Sequence, residues 1–259
     1  MYMHTYGNAN APAVLLLHPM GITADKIYEI IGSGFKGEYY LLIPDMGNHG
    51  MEKSDYISAE NEAENICSYL QKHGITDIAL LYGASMGAAV ALRMLSHSEI
   101  MVRSLYLDGA PIAKLGFVMT RLFAPVLIWQ RGIYEKNDKK KLAEYIERWG
   151  DDLNDHMRET FIGFSDTSIR NIAAVCVKGN MVAIPEELQR HTYMEWGKDE
   201  DFAKTSPKIA ERLYPLAHIA VRSGYNHCEY MMKKNQEYVA GIEKVLENTV
   251  LYVSTRYKH

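Results

Sequence analysis

The feature that most constrains this chain is Gly83-Ala84-Ser85-Met86-Gly87, which directly follows an apolar run at residues 78–81 and directly precedes a helix-patterned run at 88–95. Glycines flanking a serine between strand and helix permit a turn too sharp for ordinary side chains, with the hydroxyl exposed on strained backbone. Further short apolar runs, ended by Gly, Pro or Asp, recur at 14–17, 39–43, 104–107, 193–196 and 219–221. Each suits a buried strand of a parallel sheet. Helical patterns lie between most of them, as at 59–72, where Ala63, Ile66, Cys67 and Leu70 recur at helix spacing. Such alternation predicts βαβ units, hence an α/β fold with a mostly parallel central sheet and helices on both faces.

The alternation stops between 111 and 191, where no convincing strand occurs but helical stretches do, including 139–149 and 151–161. Pro185 suits the first turn of another helix. The predicted organisation is one catalytic domain built from 1–110 and 192–259, with a helical cap inserted at 111–191. A hydrophobic fraction of 47% against 23% charged residues is enough to bury a sizeable core. The apolar stretch 117–129 is broken by Arg121 and Pro125 and is shorter than the roughly 20 residues of a membrane span. The N-terminus carries neither a basic stretch nor a cleavage signal, so no secretory leader is expected. Cys67, Cys176 and Cys228 form an odd, widely spaced set without CxxC, which argues against a disulfide framework or a zinc site and for a reducing, cytoplasmic setting. A net charge of −4 gives no general attraction to nucleic acid, and the short basic runs at 139–141 and 233–234 suit solvated helix faces.

Three motifs in one order give the chain a resemblance to the α/β-hydrolase superfamily, from about residue 13 to residue 245 outside the cap. They are His18-Pro19-Met20-Gly21 after the first apolar run, Asp45-Met46-Gly47-Asn48-His49-Gly50 after the next, and the G-x-S-x-G. The resemblance implies Ser85 as nucleophile and a triad order of serine, acid, histidine, which restricts the base to His218, His227 or His259. His218 falls within an apolar strand, 216–221. His227 closes Gly224-Tyr225-Asn226-His227, which matches the family's G-x-x-H, and is assigned as general base. By resemblance the oxyanion hole is formed by the backbone N–H groups of Met20 and Met86, whose side chains are expected to line the pocket. Pro19 stands where the family has Gly, but the donor is the following amide, so its missing N–H is not needed. His18 and His49 are expected to hold the loops.

The acid is more open. In Gly197-Lys198-Asp199-Glu200-Asp201, the family's G-x-x-D register selects Glu200, with Asp199 and Asp201 one residue away and Asp108, after the preceding strand, as alternatives. Cys228 adjoins His227, but no elbow surrounds it and sequence neighbours usually point apart, so a thiol nucleophile is not expected. The implied function is a serine hydrolase that cleaves a small carboxylic ester, or a related small-molecule acyl substrate, through an acyl-enzyme, with no metal or organic cofactor. A carbon–carbon bond hydrolase, or a ligand-binding receptor on the same scaffold, are the alternatives. Within 117–129 the density of Phe117, Val118, Met119, Leu122, Phe123, Val126, Leu127, Ile128 and Trp129 exceeds what one packed helix face needs. These residues are expected either to line an acyl pocket or to pack against the catalytic domain or, in a homodimer, a partner subunit.

Overall fold

The computed structural model describes residues 1–200 and 204–256, with side chains described as far as Thr249. Nine strands occur among them: β1 (Tyr2–Gly7), β2 (Ala13–Leu17), β3 (Tyr40–Asp45), β4 (Asp77–Ile78), β5 (Leu80–Ala84), β6 (Met101–Val102), β7 (Leu105–Asp108), β8 (Thr192–Gly197) and β9 (His218–Arg222). Seven of these form the central sheet in the order β1-β3-β2-β5-β7-β8-β9. All its neighbouring pairs are parallel except β1 with β3.

The helices are α1 (Ala24–Ile30), α2 (Ala59–Lys72), α3 (Met86–Met94), α4 (Phe117–Glu135), α5 (Lys139–Trp149), α6 (Asp151–Ile162), α7 (Asp166–Lys178), α8 (Glu186–Gln189), α9 (Ser206–Leu213), α10 (Glu229–Lys233) and α11 (Asn235–Arg256). Strand side chains alternate between the sheet's two faces. Leu15, Leu17, Leu42, Leu81 and Leu107 pack with α2 and α3, whereas Val14, Leu16, Ile43, Leu80 and Tyr82 pack with α1, α10 and α11. The mostly parallel sheet flanked by helices is therefore the arrangement that the alternation implies.

Several boundaries differ from the sequence reading. Strand β1 has no apolar run to announce it, because it is a partly exposed edge strand that pairs antiparallel to β3. The run at 78–81 is two strands: Ile78 pairs with Val102 in a separate two-stranded ladder, and only from Leu80 onward does the chain join the central sheet. The last strand starts at His218, two residues after the apolar pattern does, and His218 is exposed and stacked on Tyr193. Pro185 caps the short α8 from just outside it. Helix α11 continues to Arg256, beyond residue 245, where the family resemblance ends. Between β7 and β8 the chain forms α4–α8, and Leu127, Ile133, Tyr134, Leu142, Phe161, Phe164 and Ile169 give this helical group an apolar cluster of its own.

Two buried histidines fix the loops at the carboxyl ends of β2 and β3. His18 Nδ1 donates to the carbonyl of Pro19 at 2.9 Å, and its Nε2 accepts from Met46 N–H at 3.1 Å. His49 uses its nitrogens in the same way from the β3 loop, with Nδ1 donating to Gly47 O at 2.9 Å and Nε2 accepting from Gly21 N–H of the β2 loop at 3.2 Å. Each ring uses one nitrogen as donor and the other as acceptor, an arrangement only neutral imidazole can make. Burial lowers the His18 pKa to about 4 and holds His49 well below its ordinary value. The Asp45 carboxylate ties the same region together by accepting from Ala24 N–H at 2.9 Å and Met51 N–H at 2.8 Å.

This clamp has a pH signature. Unfolded His18 takes up a proton near its ordinary value of 6.5, while folded His18 resists until about 4. The contribution is therefore complete above 6.5 and is lost as the pH falls toward 4, amounting to about 3 kcal/mol across the window. Urea unfolding midpoints measured between these pH values should fall steadily as the solution is acidified, and a His18→Gln variant should show a shallower fall. Parallel pH profiles for the two proteins would contradict the clamp.

Candidate active site

Ser85 lies between β5 and α3 with φ 52° and ψ −112°, a conformation costly for any residue with a side chain. Gly87 makes that turn possible by allowing α3 to start directly against the β2 strand end: a Cβ there would run into the carbonyl oxygens of Leu17 and His18. The serine is largely buried, at the inner end of a cavity of about 350 Å³ that it lines together with Met20, His227 and Glu200.

His227 comes from the loop after β9, and its Nε2 stands 2.8 Å from Ser85 Oγ. Its Nδ1 is hydrogen-bonded to Glu200 Oε2. The other oxygen of Glu200 accepts from Gly197 N–H at 2.9 Å, so the loop that leaves β8 fixes the carboxylate on both sides. Space for the imidazole is made by Gly109, at φ 59°, where a Cβ would stand 2.5 Å from His227 Cε1. Burial disfavours the imidazolium, but the Glu200 carboxylate on Nδ1 outweighs it and holds His227 well above the ordinary histidine value.

The carboxylate in contact with His227 is Glu200, among the residues that sequence register left open. Asp199 is exposed to solvent, while Asp201 lies outside the described residues, as does His259. Asp108 is buried one strand away and is engaged elsewhere: its Oδ2 accepts from Tyr238 OH at 2.9 Å, and that hydroxyl is 2.9 Å from Tyr82 OH. Burial and the neighbouring Glu195 push the Asp108 carboxyl up to about 8. Glu195, which sequence reasoning passed over inside an apolar run, is anchored by Arg222 Nε at 2.7 Å and Tyr106 OH at 2.8 Å.

Two expectations about side chains need correction. Met20 does line the cavity, but Met86 is fully buried in the core cluster on the α2–α3 side of the sheet. Cys228 does not point away from His227. The left-handed backbone at Cys228 (φ 54°) turns its thiol into contact with the imidazole and the cavity, where burial pushes its pKa up to about 12 and keeps it protonated. As for the two backbone amides, no hydrogen bond among the described residues takes up the N–H of Met20 or of Met86. Met86 opens α3, where N–H groups lack intrahelical partners.

Neither expected role accounts for the whole stretch 117–129. Met119, Phe123 and Leu127 line the cavity, joined by Leu153, Met157 and Phe161 from α6, whereas Phe117, Leu122, Val126 and Trp129 face solvent. Among the described residues no cluster of His, Cys, Asp and Glu could hold a metal ion, and no helix is long and apolar enough to cross a membrane.

No protein-family model matches the sequence, and no curated protein does. Solved structures, by contrast, match over almost the whole chain. An alpha/beta hydrolase family protein from Desulfitobacterium hafniense is 20% identical with a TM-score of 0.70, covering 95% of this chain and 100% of its own. An esterase from Exiguobacterium antarcticum is 17% identical with a TM-score of 0.72, covering 95% of each chain. A bromoperoxidase from Bacillus anthracis is 14% identical with a TM-score of 0.73, again covering 95% of each. The chain therefore has the α/β-hydrolase fold. Identities this low fix the fold and not the reaction, and the differing activities named for these neighbours leave the chemistry to be argued from the site.

The His227–Glu200 contact predicts a measurable ionisation. Titration of His227 followed by NMR should give a pKa above 6.5, because the carboxylate favours the imidazolium. Glu200→Gln removes that anion and should lower the value, whereas Asp199→Asn should leave it nearly unchanged. A larger shift in the Asp199 variant would place the functional carboxylate at the other position.

Proposed function

We propose that the protein is a serine hydrolase that cleaves a small carboxylic ester, or a closely related acyl compound, through an acyl-enzyme. The observation that carries this reading is the relay Ser85–His227–Glu200, with Ser85 Oγ 2.8 Å from His227 Nε2 and Glu200 on the opposite ring nitrogen. A serine hydroxyl is a weak nucleophile until a base removes its proton, and a histidine serves only if its second nitrogen is held in the right tautomer. Glu200 would supply that restraint and stabilise the imidazolium as it forms.

In this mechanism His227 takes the proton from Ser85 while Oγ attacks the carbonyl carbon. The oxyanion is held by the N–H groups of Met20 and Met86, the former presented by the loop that His18 and His49 clamp, the latter by the start of α3. His227 then returns the proton to the departing alcohol, leaving an ester between Ser85 and the acyl group. A water activated by His227 attacks that ester, the serine recovers its proton, and the acid is released. No step needs a metal or an organic cofactor.

The helices between β7 and β8 act as a cap in this reading, and their contribution is selectivity for the acyl part. Leu115, Met119, Phe123, Leu127, Leu153 and Phe161 give the cavity an apolar wall that suits an alkyl or aryl acyl chain better than a polar one.

For p-nitrophenyl esters, kcat/KM should rise roughly fourfold for each added methylene until the cavity is full, since burying one contributes about 0.8 kcal/mol. Phe123→Ala should flatten that dependence, while Trp129→Ala, on the solvent side of the same helix, should leave it intact. A preference for acetyl in the unaltered enzyme, or equal effects of the two variants, would contradict the acyl-pocket assignment; absence of turnover on every ester would remove the hydrolase reading itself.

A further inference from the structure

Helix α4 carries two adjacent apolar rows. Met119, Phe123 and Leu127 face the cavity, whereas Val118, Leu122, Val126 and Trp129 recur at spacings of four, four and three on the neighbouring face, about 100° round the helix. That second row is open to solvent, with Leu122 50% and Trp129 55% exposed. Phe117, at the start of the helix, is 71% exposed. A contiguous apolar strip of this kind is uncommon on a surface that meets only water.

The charge around the strip selects its partner. Between residues 114 and 141 there are seven Lys and Arg against two acids, a net of +5 within a chain whose formal total is −4. Lys114, Arg121, Lys136, Lys139 and Lys140 are exposed and make no salt bridge among the described residues. The basic groups flank the strip at both ends, where the Arg121 guanidinium lies 4.4 Å from the Phe117 ring centroid and Lys141 Nζ 5.3 Å from that of Trp129. An apolar face with bulky side chains and a Lys/Arg fringe is what seats a helix in the headgroup region of an anionic lipid surface. Helix α4 does not qualify as a membrane span, so it would lie along such a surface and not across it.

We propose that the protein docks on anionic lipid surfaces through the exposed face of α4. The wall of the cavity and the docking face are then adjacent sides of one helix, which would bring a membrane-dissolved substrate close to the site. The docking itself does not depend on the reaction assigned to Ser85.

The test uses full-length Ser85→Ala protein, so that turnover cannot alter the lipid. Flotation with phosphatidylcholine vesicles containing phosphatidylglycerol should carry the protein upward with a blue shift in tryptophan fluorescence, and vesicles of phosphatidylcholine alone should carry much less. Binding should be largely lost at roughly 0.5 M salt, where charge attraction is screened. The double charge reversal Lys139→Glu/Lys140→Glu should weaken it about tenfold or more, as should Leu122→Ser/Val126→Ser, and none of these residues belongs to the proposed catalytic machinery. Circular dichroism and, in the Ser85 background restored, unchanged turnover of a soluble short-chain ester would show that the variants are folded. Failure to float with either vesicle, or flotation unaffected by both double variants, would overturn the proposal. So would a stable dimer in lipid-free solution that Leu122→Ser/Val126→Ser converts to monomer, since the strip would then be covered by a second copy of the chain.

Discussion

The architecture depends on one strained residue. Ser85 holds a positive φ between a buried strand and a buried helix, a conformation costing about 1–3 kcal/mol that survives only where its surroundings leave no alternative. Those surroundings are the close approach of α3 to the end of β2, open only to glycine at position 87, and the β5 ladder, whose neighbours β2 and β7 pin the serine from both sides. The strand order brings the carboxyl ends of β2, β5, β8 and β9 to one rim, so that loops distant in sequence converge on Ser85. His227 and Glu200 come from two of these loops. A glycine again creates the room: Gly109, in the turn after β7, leaves space for the imidazole.

The supporting polar groups obey the same logic of full pairing. His18 and His49 are neutral, buried and doubly bonded, and they link the β2 and β3 loops without placing a charge in the interior. Asp108 and Glu195 face each other across the β7–β8 register and carry a larger electrostatic burden. Tyr238 and Tyr82 serve the first, Tyr106 and Arg222 the second, and the Asp108 carboxyl remains protonated well above the usual carboxylate range. Two carboxylates sharing a buried region cannot both ionise cheaply, which makes Asp108 a poorly suited anion for His227 and Glu200, with its own loop, a better one.

Much of this was legible in the sequence where the signal is local. The glycines around Ser85, the apolar runs of the central strands and the Gly197 register that singles out Glu200 all encode their placement within a few residues. What was hidden depends on partners far along the chain. Strand β1 is an edge whose residues look like a loop until β3 pairs with them, and the break between Ile78 and Leu80 arises because β6 competes for one end of the run. The thiol of Cys228 reaches His227 through a left-handed turn that no composition rule announces. The dense apolar segment 117–129 could not be divided between cavity and solvent without knowing how α4 is rotated, since rows one residue apart differ only in the side of the helix they occupy.

The central claim is that Ser85 is the nucleophile, and covalent trapping tests it most directly. After exposure to a fluorophosphonate, peptide mass spectrometry should find one adduct per chain on the peptide that contains Ser85, and no adduct at that level in a folded Ser85→Ala variant. Stoichiometric labelling that persists in the alanine variant, or that resides on Cys228 or any other residue, would contradict the account.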